Sequence, residues 1–232
     1  MATAKTMELP PLLRAAAAFR RVLLPPAQPR RIRAGAIRAS PPSTGGGSPD
    51  ELPAALLPNA RRQRRDGCGF SLGVDLGEAR TGLAVGRGIT LPRPLTVLKL
   101  RGQKLELTLL DIAQQQEADE LIVGLPVSAD GSETPQSNKV RSIVGRLAVQ
   151  AADRGLRVYL QDEHGTSIDA LEFMISRGVK RSARDVQSDA YSAMMILERY
   201  FSSSGQGAKI VLPRQPELQS KLLAESRQDG EV

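Results

Sequence analysis

Apolar runs along residues 66–213 predict a series of short strands separated by longer helices. Two compact apolar segments at 70–75 and 81–85 are joined by a short turn containing Gly77, which is typical of paired strands. A later unbroken apolar run ends at Pro126 and indicates a strand covered on both faces. The predicted strands are Phe70–Asp75, Thr81–Val85, Leu95–Leu98, Leu121–Leu125 and Leu156–Leu160.

Helical periodicity appears between these strands and after the last of them. Leu105, Leu109 and Ile112 recur at the spacing of one helix face. Pro135 suits the first turn of a helix, and Gly178 is typical of a helix C-terminus. The predicted helices are Lys104–Gln116, Pro135–Arg154, Ser167–Arg177 and Ala183–Phe201.

The resulting order, β-β-β-α-β-α-β-α-α, predicts an α/β fold. A three-strand meander followed by two right-handed crossovers gives a mixed five-stranded sheet with helices on both faces. The predicted domain spans residues 66–213. Residues 214–232 are polar and are predicted to be a frayed helix or tail.

The N-terminal quarter of the chain has a different composition. Residues 1–65 hold 12 Lys/Arg and 3 Asp/Glu, a net charge of +9, whereas the remaining residues carry −2. They also hold 10 of the 16 prolines, and such a composition cannot bury a core. Wealth in Arg and poverty in acids predict a transit peptide with a disordered linker. The alternative is a basic arm that stays attached and touches RNA.

Local features of residues 1–65 indicate the organelle into which the protein would be imported. The Met-Ala start and the stretch 37–40 favour a chloroplast, whereas the arginine-bearing helix predicted at 11–24 favours a mitochondrion. We expect the chloroplast, with cleavage somewhere after Ala39. No apolar run approaches the roughly 20 residues that span a bilayer, so a transmembrane protein is not expected.

Several kinds of site are excluded by composition. The single cysteine, Cys68, and the single histidine, His164, exclude an intramolecular disulfide, a multi-cysteine zinc site and an all-histidine metal centre. Aromatic residues make up only 3% of the chain, with no Trp. Extensive base stacking is therefore not expected, and any nucleic acid would be recognised by its backbone and shape.

Acidic residues follow two of the predicted strands. Asp75 ends the first strand, and Asp162 and Glu163 end the last. In an open α/β sheet these ends meet at one edge, where ligands bind. Asp189, in the last helix, is expected to face the same place. Carboxylates suit magnesium or manganese, and two such ions would hold a scissile phosphate and activate water. Asp162 better fits a supporting role, in which it holds the neighbouring ligand in place without binding the metal.

Basic residues cluster on the two helices nearest this edge. Lys139 and Arg141 recur on the second helix, whereas Lys180, Arg181 and Arg184 precede Asp189. Such charges commonly form a solvated surface, but their position near the acids also predicts contacts with nucleic-acid phosphates.

Several short motifs over about residues 70–202 occur together in the order found in a known family. Each is weak alone, but their order and spacing are specific. They are Gly73-Val74-Asp75-Leu76-Gly77, Thr81-Gly82-Leu83-Ala84-Val85, Val123-Gly124-Leu125-Pro126, Asp130-Gly131-Ser132-Glu133, Pro135-Gln136, Val140-Arg141, Asp162-Glu163, Thr166-Ser167, Asp189-Ala190 and Ser192-Ala193. The chain thereby resembles the YqgF group of the RuvC-like, ribonuclease H-like fold, described as Holliday junction resolvases and as pre-16S rRNA nucleases.

The resemblance implies a metal-dependent nuclease with ligands and catalytic groups at Asp75, Glu163 and Asp189. It further implies processing of organellar pre-16S rRNA, with structured RNA favoured over DNA as the partner. One alternative is resolution of four-way DNA junctions, which requires a homodimer. A sugar kinase or actin-like ATPase is also similar over residues 73–85, but such proteins close two domains over ATP and this chain supplies one.

The segment after Glu163 departs from the family pattern. The family has Asp-Glu-Arg, a hydrophobic residue and Thr, whereas this chain reads Asp162-Glu163-His164-Gly165-Thr166. The missing arginine could contact phosphate. This difference keeps open a third alternative, a non-catalytic RNA-binding factor in ribosome assembly.

Overall fold

The structure is a computed structural model that describes residues 52–62 and 69–228, with the side chains of 225–228 excepted. The predicted leader helix at 11–24, the expected cleavage position after Ala39 and Cys68 all lie outside these residues. Within the described ranges, no helix is both long enough and apolar enough to cross a membrane.

A six-stranded mixed sheet forms the centre of the fold, in the order β3-β2-β1-β4-β5-β6. The first three strands form an antiparallel meander, β4 and β5 run parallel to β1, and β6 is antiparallel to β5. The strands are β1 Phe70–Leu76, β2 Thr81–Gly86, β3 Arg93–Leu98, β4 Ala118–Leu125, β5 Arg157–Asp162 and β6 Lys209–Ile210. The predicted ribonuclease H-like α/β fold is confirmed, although the sheet has six strands because a two-residue edge strand was not predicted.

Helices cover both faces of this sheet. One face packs against α1 and α2 around Leu72, Val123 and Leu147, and the other against α4 around Ile122 and Tyr159. The helices are α1 Gly102–Gln115, α2 Pro135–Asp153, α3 Thr166–Ser176, α4 Arg181–Ser202 and α5 Pro216–Gln228. All four helices predicted within residues 66–213 are present.

The helix ends have identifiable physical causes. Thr134 caps α2 by accepting a hydrogen bond from the Ser137 backbone, and Pro135 occupies the first turn as predicted. Gly178, at φ +70°, follows α3 and donates its backbone N–H to Ile175 O. A left-handed backbone at this position satisfies carbonyls at the helix end.

The packed part of the chain extends beyond the predicted domain of 66–213 at both ends. Residues 54–56 form a 3-10 helix, and Leu56 is buried with Ala152 of α2 and Leu222 of α5. The predicted linker therefore contributes packed residues at 52–62, and the predicted tail contributes a helix. The proline- and arginine-rich composition of residues 1–65 concealed the first segment, which buries Leu56, Pro58 and Asn59, whereas a helix was one of the two forms predicted for residues 214–232.

A buried polar network holds residues 56–60 against the strand ends opposite the acids. Glu120 of β4 is fully buried and accepts hydrogen bonds from Ser71 Oγ at 2.7 Å and from Tyr200 OH at 2.6 Å. Its second oxygen, Oε2, accepts from the Asn59 backbone N–H at 3.0 Å. Arg157 donates to Leu57 O at 2.8 Å and to Asn59 Oδ1 at 2.7 Å. Residues 56–60 thus complete the hydrogen bonding of a buried charged pair.

Candidate active site

Asp75 lies near the carboxyl end of β1, on the face of the sheet that packs against α4. Strand side chains alternate between faces, and Leu72, Val74 and Leu76 belong to the core under α1 and α2. Asp75 therefore points the other way, as does Gly73, which approaches α4. Asp75 pairs across the sheet with Gly82 of β2.

Glu163 directly follows β5 and extends the parallel strand pairing by one residue. Its backbone N–H donates to Leu125 O at 3.3 Å, and its own carbonyl accepts from the Thr166 backbone N–H at 3.1 Å. The carboxylate lies above Gly124, because a Cβ built on Gly124 would fall 1.8 Å from Glu163 Oε2. A glycine on the neighbouring strand thus provides the space that the carboxylate fills.

Asp189 enters the site from α4, which packs closely on β2. A Cβ on Gly82 would fall 1.8 Å from the Asp189 carbonyl oxygen, so the helix backbone rests directly on the strand. Gly82 is also the strand partner of Asp75. The sheet register and this close helix contact place Asp189 beside Asp75.

The electrostatics of the site show that the acids influence one another. Burial, and next the negative charge of Asp189, raise the pKa of Asp75 to about 7. Burial, followed by the charges of Asp75 and Asp162, raises the pKa of Glu163 to about 8. Desolvation and like charges both disfavour the ionised form of a carboxyl group. The structure therefore gathers the predicted acids into one crowded region that favours a cation.

The acids are not arranged as a closed set of metal ligands in the part of the chain that the structure describes. Among the residues that the structure describes, no three His, Cys, Asp or Glu side chains lie in an arrangement that could hold one metal ion. Asp189 is engaged by Arg80 instead, with Arg80 Nε 2.8 Å from Asp189 Oδ2.

The donor atoms nevertheless fit a hard divalent ion. Glu163 Oε2 and Asp189 Oδ2 are both buried and have no hydrogen-bond partner within the described ranges. A buried carboxylate oxygen without a partner is costly, and an oxygen-binding cation would satisfy it. The unsatisfied oxygens are therefore the feature of the site that calls for a metal ion.

The loop that carries Glu163 is held by polar contacts on both sides. Asp162 is exposed, and its Oδ1 accepts from the His164 backbone N–H at 2.7 Å. His164 Nδ1 lies 3.3 Å from Val127 O. Gly165, at φ +78°, precedes the first residue of α3. Asp162 thus orders the loop beside Glu163. The two residues that differ from the family pattern, His164 and Gly165, form a turn that glycine favours.

The predicted phosphate-contacting residues fall into two groups. Lys139 pairs with Glu78 at 2.8 Å, and Arg141 forms an ion pair with Glu133. Lys180 and Arg181 are exposed at the start of α4, and neither forms an ion pair among the described residues. The half-buried Arg184 has an Nε atom without a partner in the same part of the chain. The first group is thus neutralised locally, whereas the second remains available.

Two arginines that the sequence analysis did not select also contact the site. Arg80 lies in the turn after β1, and its short distance from Asp75 along the chain is a signal that could have identified it. Arg199 of α4 donates to His164 O at 2.8 Å and lies 3.3 Å from Asp169 Oδ2. No local sequence pattern connects Arg199 to a loop that lies 35 residues away.

The mixed sheet thus carries acids at the ends of β1 and β5 and on the helix that crosses them, which are the places expected from the family resemblance. A family model described as "RuvX: Holliday junction resolvase" matches residues 69–203. The chain belongs to this family, which confirms the resemblance drawn from its motifs.

Sequence relatives support the same assignment. A protein of Cronobacter sakazakii named "Putative pre-16S rRNA nuclease" is 33% identical over 139 residues, which are 59% of this chain and 99% of the relative. A Salmonella newport protein of the same name is 33% identical over 135 residues, covering 57% and 96%. The solved structure of Thermus thermophilus RuvC is similar with a TM-score of 0.42 and 20% identity, covering 61% of this chain and 99% of that one.

Proposed function

We propose that this protein is a metal-dependent nuclease that cleaves phosphodiester bonds in structured nucleic acid. The observation that carries the proposal is the gathering of Asp75, Glu163 and Asp189 at the carboxyl edge of the sheet, with two buried oxygens unsatisfied. Membership of a nuclease family supports the same reaction class.

Asp75, Glu163 and Asp189 would hold Mg²⁺ or Mn²⁺, with two ions favoured. Bound ions of this kind activate water and stabilise charge on the phosphate and the leaving oxygen. Three ionised carboxylates carry a local charge of about −3, which repels a phosphate backbone, and two divalent ions would change it to about +1. The acids thereby allow a nearly neutral domain to accept nucleic acid.

Residues outside the acid group would orient the substrate and the loop. Lys180, Arg181 and Arg184 lie on or just before the helix that carries Asp189, where they can contact phosphates. Asp162 and Arg199 hold the loop of Glu163 through backbone atoms. Lys139 and Arg141 would contribute less, because each is already paired with a glutamate.

We favour structured RNA, specifically the 5′ extension of organellar pre-16S rRNA, as the substrate. The names of the bacterial relatives support this choice. The composition of residues 1–65 supports import into the chloroplast, with the mitochondrion as the alternative. A fluorescent fusion of the whole chain tests the location, since a cytosolic signal would contradict organellar processing.

Cleavage by the full chain is the direct test of the chemistry. Wild type should cut a 5′-extended rRNA precursor in Mg²⁺, and Asp75→Asn or Asp189→Asn should lower the rate at least about a hundredfold. Asp111→Asn is a matched control, because Asp111 is an exposed acid paired with Arg154 away from the acid group. Unchanged cleavage by Asp75→Asn would refute the proposed site.

Two other functions remain as alternatives with their own supporting observations. The description of the matched family supports resolution of four-way DNA junctions, which would require a dimer in gel filtration and cleavage of a junction in preference to RNA. The turn at His164 and Gly165 supports a non-catalytic RNA-binding role in ribosome assembly. Binding without cleavage in Mg²⁺ and Mn²⁺ would favour that role.

A further inference from the structure

Arg80 bridges the turn after β1 and the helix that carries Asp189. Its Nε lies 2.8 Å from Asp189 Oδ2, and its Nη2 lies 3.4 Å from Oδ1. Its Nη1 donates to the backbone carbonyl of Asp185 at 3.0 Å. The guanidinium thus contacts α4 at two places, one turn of the helix apart.

The contact with Asp189 neutralises charge but leaves one of the two carboxylate oxygens without a hydrogen bond. Although Arg80 Nε is close to Asp189 Oδ2, that oxygen lacks a hydrogen bond of acceptable geometry within the described residues. The Arg80 side chain is also 38% exposed, so it can move into solvent while its stem stays in place. An ion pair with these features allows another cation to replace Arg80 on Asp189.

A divalent ion and the Arg80 guanidinium would compete for the same carboxylate. Both are cations, and an ion held by Asp189 would repel a guanidinium at the present distance. The displaced guanidinium would remain at the rim of the site, where nucleic-acid phosphates must pass. Its planar donors match phosphate oxygens in pairs.

We infer that Arg80 is the counter-ion of Asp189 in the metal-free protein and becomes a phosphate-positioning residue when a divalent ion binds. This inference rests on the proposed nuclease function and deepens it. It assigns to one side chain the coupling between metal binding and substrate binding.

Metal binding without nucleic acid tests the first half of the inference. Mn²⁺ titrated into the full chain and followed by electron paramagnetic resonance should bind about two- to fivefold more tightly to Arg80→Gln than to wild type, because the competing cation is absent. Arg80→Lys should remain near wild type because it keeps the charge. The control is Arg154→Gln, which removes an equal charge from the pair with Asp111 and should change nothing.

Substrate binding tests the second half. In Ca²⁺, used to measure binding apart from cleavage, Arg80→Gln should bind a hairpin RNA more weakly and lower the slope of log K against log salt by about 0.7–0.9. Arg80→Lys should restore the slope but not the full affinity, since an ammonium cannot form the paired contact. Arg154→Gln should match wild type.

The outcomes separate this inference from the proposed function. If Asp75→Asn abolishes cleavage while Arg80→Gln binds Mn²⁺ and RNA as wild type does, the nuclease proposal stands and the role of Arg80 is refuted. Weaker Mn²⁺ binding by Arg80→Gln would also refute it. If no variant cleaves RNA but Arg80→Gln gains Mn²⁺ affinity and loses RNA affinity as expected, the exchange stands and the nuclease proposal fails.

Discussion

At the scale of single residues, the site holds carboxyl groups whose ionised form is unfavourable in the folded protein. Asp75 and Glu163 are half-buried and lie close enough to influence each other, and the pKa values of about 7 and about 8 reflect desolvation first and neighbouring acids second. A carboxyl group that ionises less readily in the folded protein than in the unfolded chain makes folding pH-dependent. The direction of that dependence follows from the sign of the shift.

We expect the metal-free protein to lose stability as the pH rises from about 4.5 through about 8, because Glu163 ionises in the unfolded chain before it does so in the fold. Each pH unit of that difference corresponds to about 1.4 kcal/mol. Urea unfolding between pH 5 and 9 in EDTA measures it. Glu163→Gln should be more stable than wild type at pH 9 and should flatten the dependence.

A control for this pH experiment is Glu133→Gln. The hydrogen bond from Arg141 lowers the pKa of Glu133, so this variant should keep the wild-type decline above pH 5. Added Mg²⁺ should oppose the decline at pH 8 in wild type and have less effect on Glu163→Gln. Equal pH slopes for wild type and Glu163→Gln would contradict the assignment of buried charge to Glu163.

The acids of the site could be predicted from the sequence, whereas their pairing could not. Asp75 and Glu163 directly end apolar runs, so strand parity and the sheet-edge rule place them together. The contact between Arg80 and Asp189 joins residues 109 positions apart, and its geometry depends on how α4 crosses β2. The spacing of residues along the chain does not indicate where this helix crosses the strand.

At the scale of elements, glycines on one face of the sheet bring α4 and the acids into place. Gly73 and Gly82 let the helix backbone approach β1 and β2, and Gly124 gives room to the Glu163 carboxylate. An alanine at Gly82 would therefore clash with rigid helix backbone. An alanine at Gly124 would clash with the end of a flexible side chain.

We expect Gly82→Ala to unfold the protein or lower its stability by several kcal/mol, because its Cβ would fall 1.8 Å from the Asp189 carbonyl. Gly124→Ala should stay folded but lose cleavage activity, because Glu163 Oε2 must leave its position. Thermal unfolding and cleavage rates, measured together, separate the effects. Gly145→Ala in α2 is the control, since no atom lies within 4 Å of its Cβ position.

Equal stability losses for Gly82→Ala and Gly124→Ala would contradict this distinction. Ile196 Cδ1, 2.6 Å from the Gly124 Cβ position, must also shift, so a modest loss of stability is expected there. Retained full activity in Gly124→Ala would show that the Glu163 carboxylate need not occupy its present place.

Elements with strong periodicity were predicted with definite bounds, whereas the C-terminal helix was predicted only as a frayed helix or tail and the last strand was not predicted. The strands at 70–86 and the four helices within 66–213 all have clear apolar faces. The two-residue β6 is too short for any pattern, and α5 has a short apolar face, with Leu222 buried and Leu218 and Leu223 partly buried beside it. Residues 56–60 are held largely through backbone groups that bond to Glu120 and Arg157, and side-chain composition cannot reveal such contacts.

At the scale of the whole molecule, positive charge is distributed unevenly. The cations at Lys180, Arg181 and Arg184 sit at the N-terminus of α4, where the helix dipole disfavours positive charge. No acid lies in the first turn of this helix to compensate. The three cations therefore lower the stability of the helix without a compensating acid in its first turn, which supports a role in binding a polyanion.

We expect the combined change of Lys180, Arg181 and Arg184 to Gln to weaken RNA binding and to lower the log–log salt slope by about 2–3. Thermal stability should stay the same or rise slightly, because the changes relieve the helix dipole. Changing Lys139 and Arg141 to Gln should have a smaller effect on binding, since both are ion-paired. A larger effect from the second pair would contradict this ranking.

The contact between residues 56–60 and the buried Glu120 limits how the chain can be matured. A processing peptidase that cut within this stretch would remove the backbone partner of Glu120 and leave a carboxylate oxygen enclosed in the protein without its donor. If the leader is removed on import, keeping residues 56–60 requires the new amino terminus to lie before Leu56, so the cleavage expected somewhere after Ala39 would fall between residues 39 and 56. Molecules trimmed further would be poor at refolding and prone to degradation.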